Sequence, residues 1–233
     1  MHVLEVKDVN KSFPLPVQVP AQDGETGASR LSVLHGVSFV VEPGETVAIM
    51  GPSGGGKSTL LSLLSGLDRP DRGEVLVLDQ NIAAMTSAEL NAFRARSIGI
   101  VFQQFQLLEH FNALENVRLP LDLRGISARE ADRIALEKLD RVGLKARSHH
   151  FPDQMSRGEC QRVAIARVLA MGAPLIFADE PTGSLDAKNG KAVMDLLFAS
   201  AKESGAAVVL VTHDAELAKR CHRTLKIENG QLS

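Results

Sequence analysis

The stretch Gly51-Pro-Ser-Gly-Gly-Gly-Lys-Ser-Thr59 has the pattern G-x-x-x-x-G-K-[ST], and few short motifs restrict a fold as strongly. The apolar run Thr46-Val-Ala-Ile-Met50 leads into it as a buried strand. Leu60, Leu61, Leu63 and Leu64 follow it as the apolar positions of a helix. Strand, glycine loop and helix together turn several backbone N–H groups toward one point. The helix N-terminus adds partial positive charge there, so a polyphosphate is the natural occupant. Gly51 opens the loop, and Gly54, Gly55 and Gly56 let the backbone approach with no Cβ in the way. Lys57 is placed to reach β- and γ-phosphates and the Ser58 hydroxyl to ligate Mg²⁺, with Ser53 and Thr59 in the same phosphate-facing stretch. An ordinary glycine-rich turn that starts a helix is the competing reading, and the strand–loop–helix context weighs against it.

Two hundred and thirty-three residues can bury a core as one domain with a subdomain. Lys plus Arg number 26 against 28 Asp plus Glu, a net charge of −2, which argues against a domain built to wrap nucleic acid. The apolar stretches stop well short of the ~20 residues of a membrane span. Met1-His-Val-Leu-Glu-Val-Lys-Asp alternates like a strand and lacks the layout of a signal peptide. Cys160 and Cys221 are too few for a disulfide framework or a zinc site. Free thiols in a cytoplasmic compartment are the expectation.

Leu4, Val6 and Val9 open an expected edge strand that closes at Lys11-Ser-Phe13. The proline-punctuated stretch from Pro14 to Arg30 reads as an exposed loop. Val33–Val41, Glu74–Leu78 and the apolar run Ile98-Gly-Ile-Val-Phe-Gln-Gln104 read as strands. Ser87–Arg96 and Ser127–Val142 read as amphipathic helices, the second opened by a capping box from Ser127 to Glu130. A mostly helical insertion of roughly sixty residues follows the Ile98 strand. Leu175-Ile-Phe-Ala-Asp179 and Ala207-Val-Val-Leu-Val-Thr212 are short unbroken apolar runs, as parallel strands covered on both faces should be. Asn229-Gly230 marks a terminal hairpin.

Asp179-Glu180 ends a buried strand, on the edge where open α/β sheets bind ligands. There Asp179 can hold Mg²⁺ through water, and Glu180 can polarise an attacking water. Seen alone, such a pair is more often a solvated turn; the upstream glycine loop reverses that balance. His213 follows its strand in the same way and is expected to meet a γ-phosphate. Gln103 carries an amide that could coordinate Mg²⁺ or the water. Met155-Ser-Arg-Gly-Glu159 opens another helix through a capping box from Ser156 to Glu159. Gly158 and the serine hydroxyl beside that cap also make a second anion site.

Taken together, these residues resemble the ATP-binding subunit of an ABC transporter over essentially the whole chain. Gly51–Thr59 is similar to its Walker A motif, Ser156–Glu159 to its signature, Leu175–Glu180 to Walker B and Ser184-Leu-Asp186 to the D-loop. Gln103 matches the Q-loop and His213 the H-loop. The resemblance implies a RecA-like P-loop α/β core with a parallel sheet, an N-terminal antiparallel β subdomain and an inserted α-helical subdomain. Residues 1–233 would be one ATPase domain, with 1–85 and 173–233 as the core and about 86–172 mostly helical. It further implies ATP and Mg²⁺, held in part by Ser58, Gln103 and Asp179. Two chains would pack head to tail, with Ser156, Gly158, Glu159 and Asp186 of one chain serving the partner's nucleotide. Phe13 is similar to the aromatic that stacks on adenine, with core packing as the alternative. Transmembrane permease subunits are the implied partners, at the inner face of the cell membrane, with no role for nucleic acid.

Several stretches, among them Phe102–Leu108 and Ala178–Gly183, are similar to the lipoprotein-release and macrolide-export branch, nearest its YbbA-like members. The rivals are a regulatory module like that of cell division, a DNA-repair ATPase, whose long coiled coil is missing here, and a small-molecule kinase. Two departures from the family pattern are Arg157 in place of glycine and Cys160 in place of glutamine. Left-handed geometry at position 157 would cost Arg157 of the order of 1 kcal/mol; alternatively, Arg157 brings a cation to the phosphates.

Overall fold

A computed structural model describes residues 1–15 and 30–232. In chain order the elements are β1 (Leu4–Pro14), β2 (Arg30–Val41), β3 (Thr46–Met50), α1 (Lys57–Leu64), β4 (Arg72–Val77), β5 (Gln80–Asn81), α2 (Ser87–Ser97) and β6 (Ile98–Val101). There follow α3 (Ala113–Leu123), α4 (Ala128–Arg141), α5 (Arg157–Met171), β7 (Leu175–Asp179), α6 (Ala187–Ser204), β8 (Ala207–Val211), α7 (Ala215–Ala218), β9 (Arg223–Glu228) and β10 (Gln231–Leu232).

The first sheet is antiparallel, in the order β2-β1-β4-β5. β1 therefore lies inside it and not at its edge, because both of its ladders are used: Leu4 sits opposite Val41 on one side and Val77 on the other. Leu4, Val6 and Val9 are buried accordingly. The β1–β2 pairing runs out as far as Phe13 opposite Leu31 and Pro14 opposite Arg30. The ends of the expected Pro14–Arg30 loop are thus ladder residues, and 16–29 lie outside the described residues.

The second sheet has the order β10-β9-β3-β8-β7-β6, parallel except where β10 folds back on β9. Ala207–Val211 is buried at every position, and so is Leu175–Ala178, as unbroken apolar runs require when helices cover both faces. Asn229 and Gly230, with φ of 49° and 75°, make the terminal hairpin turn. α1 puts Leu60, Leu61, Leu63 and Leu64 into the core shared by the two sheets.

The helical part has a core of its own, built by Val117 and Leu121 of α3, Ala135 and Leu139 of α4, and Val163 and Ala166 of α5. The other side of α5, with Ile165 and Val168, packs into the cluster beneath the parallel sheet. One helix thus belongs to both cores. The fold agrees with the expected RecA-like α/β core, antiparallel β part and helical insertion. β6 falls within the 86–172 stretch yet pairs with β7 in the parallel sheet.

Two local expectations are corrected. Ser127 does sit at the N-cap of α4, but its side chain makes no cap bond, and the Glu130 carboxylate that would close the other half of the box pairs instead with the Arg133 guanidinium at 2.7 Å. The Ile98 strand ends at Val101, so Gln103 stands in the loop beyond it.

Candidate nucleotide site

β3 delivers the chain to Gly51, where a Cβ would collide with the Ile227 carbonyl of the neighbouring β9. Gly56, at φ 94°, takes a left-handed turn directly into α1. No side chain caps α1, and its first turn holds no acidic residue. Its first N–H groups are therefore left to an external anion. Lys57 as a residue is only 8% exposed, and its ammonium donates to the carbonyls of Gly51 and Pro52 at 2.9 Å. Ser53 and Ser58 are exposed at the loop and Thr59 is half-buried.

Opposite, β7 ends in Asp179. Burial pushes its carboxyl above the ordinary range, the Glu180 charge adds to this, and Lys57 opposes it. Glu180 has a left-handed backbone (φ 42°), uncommon for a non-glycine residue and characteristic of functional positions. That conformation is held at both ends: its N–H donates to Val211 O at 2.9 Å, and its C=O accepts from Gly183 N at 2.9 Å. Thr212 N donates to Ile49 O, which places the segment after β8 beside the end of β3. His213 follows, and its Nδ1 lies 3.2 Å from Glu180 Oε1. With the imidazole 71% exposed, the contact adds little energy. The expected γ-phosphate group is thus a neighbour of the expected base.

Gln103 joins the same centre from the side. Its carbonyl accepts from Ser184 Oγ at 3.2 Å, and its amide packs where Gly183 leaves room for it. Two polar residues of α5 that a motif search passes over complete this region. Gln161 is fully buried and donates to Pro181 O at 2.8 Å; Arg167 donates to the carbonyls of Phe105 and Gln106. Their one sequence signal is polarity among the apolar residues of α5.

The second anion site is capped. Ser156 Oγ accepts from Glu159 N at 3.3 Å, and Glu159 Oε2 accepts from Ser156 N at 2.9 Å. The Ser156 N–H and hydroxyl hold the Glu159 carboxyl below the usual range. Gly158 faces Asn189 near the start of α6. Asp186 is the N-cap of that helix and accepts from Asn189 N at 3.0 Å, which lowers its carboxyl pKa. Arg157 is the first residue of α5 and does not have a positive φ, so the left-handed strain considered for it does not arise. Cys160 is buried with its thiol near Pro152 O, and burial raises its pKa. Both cysteines are free. Phe13 stands 39% exposed at the end of the β1–β2 pairing, with Lys11 Nζ 5.1 Å from its ring centroid. Among the described residues, no hydrogen bond or ion pair joins Ser156–Glu159 to the glycine loop.

A family model described as ABC transporter matches residues 34–183. The chain belongs to the ABC transporter family. It is 48% identical over 206 residues to the ABC transporter ATP-binding protein YbbA of Escherichia coli (strain K12), covering 88% of this chain and 90% of that protein. It is 45% identical over 207 residues to the lipoprotein-releasing system ATP-binding protein LolD of Chromohalobacter salexigens, covering 89% and 87%. Its fold superposes with a TM-score of 0.86 on the dimeric post-hydrolysis state of the ATP-binding cassette MJ0796 bound to ADP and Pi, at 38% identity over 99% of this chain and 96% of that one. This ABC ATPase therefore binds and hydrolyses ATP. The donors present suit Mg·ATP: an uncapped helix N-terminus and a lysine ammonium for phosphates, and hydroxyl, carboxylate and amide oxygens for a hard cation.

Proposed function

We propose that this chain is the motor subunit of a transporter that exports or extracts a hydrophobic substrate or a lipoprotein through separate membrane subunits. The likeness to YbbA and to LolD, whose name gives lipoprotein release as its task, supports that substrate class. The observation that carries the chemistry is the meeting of the uncapped α1 N-terminus with the Glu180–His213 pair on one sheet edge. Gly51–Thr59 would hold the triphosphate, with Phe13 against the base. Ser58, Asp179 and Gln103 would hold Mg²⁺, which neutralises charge on the β- and γ-phosphates. Glu180 takes a proton from the attacking water, and His213 holds that carboxylate in position. Ser156, Gly158, Glu159 and Asp186 serve the nucleotide of a partner chain, and this is why they stay apart from the glycine loop within one chain.

In this reading residues 1–233 act as one ATPase domain, with 1–85 and 173–233 as its core. No helix among the described residues is long and apolar enough to cross a membrane, so docking on permease subunits, at the cytoplasmic face, would couple turnover to transport. A groove of about 620 Å³ lined in part by Gln104, Phe105, Leu107 and Met155 is the proposed docking surface. The test is reconstitution with the membrane subunits in liposomes carrying a membrane-inserted lipoprotein. ATP-dependent release by wild type but not by Glu180→Gln supports the assignment. An ATP-dependent complex that releases nothing points to a regulatory module instead.

A further inference from the structure

The loop from Phe102 to Gln106 lies between the reactive centre and the groove, so what holds it governs how one is connected to the other. Every backbone carbonyl in it has a donor. Phe102 O accepts from Gln161 Nε2 and from Phe105 N, Gln103 O from Ser184 Oγ, and Gln104 O from Gln106 N. Phe105 O and Gln106 O accept from the two terminal nitrogens of Arg167, at 2.9 and 2.6 Å. Phe105 and Gln106 are consecutive left-handed residues, with φ of 53° and 50°. Neither is glycine, and both are strained unless their surroundings hold them. Arg167 is largely buried, and burial disfavours its charge. No carboxylate pairs with it among the described residues. A guanidinium is well suited to this task, since its rigid planar fork gives each carbonyl its own terminal nitrogen, whereas a lysine would have to serve both from one nitrogen on a flexible stem.

We propose that Arg167 is a positioning residue that clamps the left-handed Phe105–Gln106 step and so holds the Gln103 amide and the groove residue Phe105 in one fixed relation to α5. Because α5 opens at Ser156 and packs into both hydrophobic cores, the clamp makes the signature helix and the glutamine loop move as one body. The role of Gln103 rests on the proposed hydrolysis mechanism; the clamp itself does not.

The test compares wild type, Arg167→Met, Arg167→Lys and Arg167→Met/Gln106→Gly. Gln106 is exposed, and glycine there removes the left-handed penalty while leaving the site chemistry alone. Hydrogen exchange of the Phe105 and Gln106 amides should quicken by about tenfold or more in Arg167→Met, with β7 and β8 unchanged. ATP affinity should stay within about twofold of wild type while kcat falls about tenfold. Lysine should rescue little, and Gln106→Gly should restore part of both the protection and kcat. Wild-type exchange at 105–106 in both single variants would overturn the clamp. Equal loss of protection throughout the chain, with no rescue by Gln106→Gly, would also overturn it and make Arg167 a packing residue. If Arg167→Met does not fold, Arg167→Lys alone decides by the same exchange readout. Altered exchange in a wild-type-like fold whose parent shows no ATP turnover would keep the clamp and reject the mechanism for Gln103.

Discussion

Two helices of this chain present their N-termini as anion sites, and they are finished differently. α1 enters from a left-handed glycine with no side-chain cap and a buried lysine beside it. α5 enters from Ser156, whose hydroxyl and backbone are already bonded to Glu159. The first leaves its opening N–H groups to a ligand, whereas the second is stable without one. The difference separates a binding half from a completing half. In the proposed mechanism α1 takes a nucleotide by itself, and α5 meets one that another chain already holds.

This contrast can be broken at either end. The largest effect is expected for Glu180→Gln, which removes the proposed base but neither helix terminus. Turnover should fall by about 10²–10⁴-fold with ATP still bound, as read in a phosphate-release assay beside equilibrium binding. Wild-type turnover would remove Glu180 from its role. Lys57→Ala attacks the binding half. Loss of a charge-assisted bond of ~1.5–3 kcal/mol should weaken ATP affinity by roughly 10–150-fold in titration calorimetry. Ser156→Ala attacks the completing half. It should cost about 1 kcal/mol in urea unfolding through the lost cap, and should lower turnover while leaving the ATP affinity of the single chain unchanged. An affinity loss matching that of Lys57→Ala would erase the distinction between the two helices. Smallest of all, Arg157→Gly should shift stability by no more than about 0.5 kcal/mol, since the position has no left-handed strain for glycine to relieve.

What the sequence discloses follows the range of the forces involved. Strand, glycine loop and helix are written in adjacent residues, and the core around β3 and α1 was legible for that reason. The Ser156–Glu159 box formed as its spacing implies, but the same spacing at Ser127–Glu130 did not: the Ser127 side chain makes no cap bond, and the Glu130 carboxylate goes to Arg133 one turn further on. β1 looked like an edge because its second partner, β4, lies some sixty residues away, across the whole P-loop unit. α3 hides Pro120 within its span and is anchored by the buried Asn116, whose side chain binds Leu108, Phe111 and Asn112. At the site, the residue types at Lys57, Asp179, Glu180 and His213 were evident, yet not the left-handed backbone at Glu180 or its contact with His213. Those depend on β7 and β8 lying side by side, which no local pattern encodes.

The central claim is that the two helix termini belong to one site only when two chains meet. Its most direct test is the solution mass of the Glu180→Gln protein, by light scattering, with and without Mg·ATP. The account predicts a single chain of 25.0 kDa without nucleotide and twice that mass with it. A protein that binds Mg·ATP tightly and keeps the mass of one chain would contradict it.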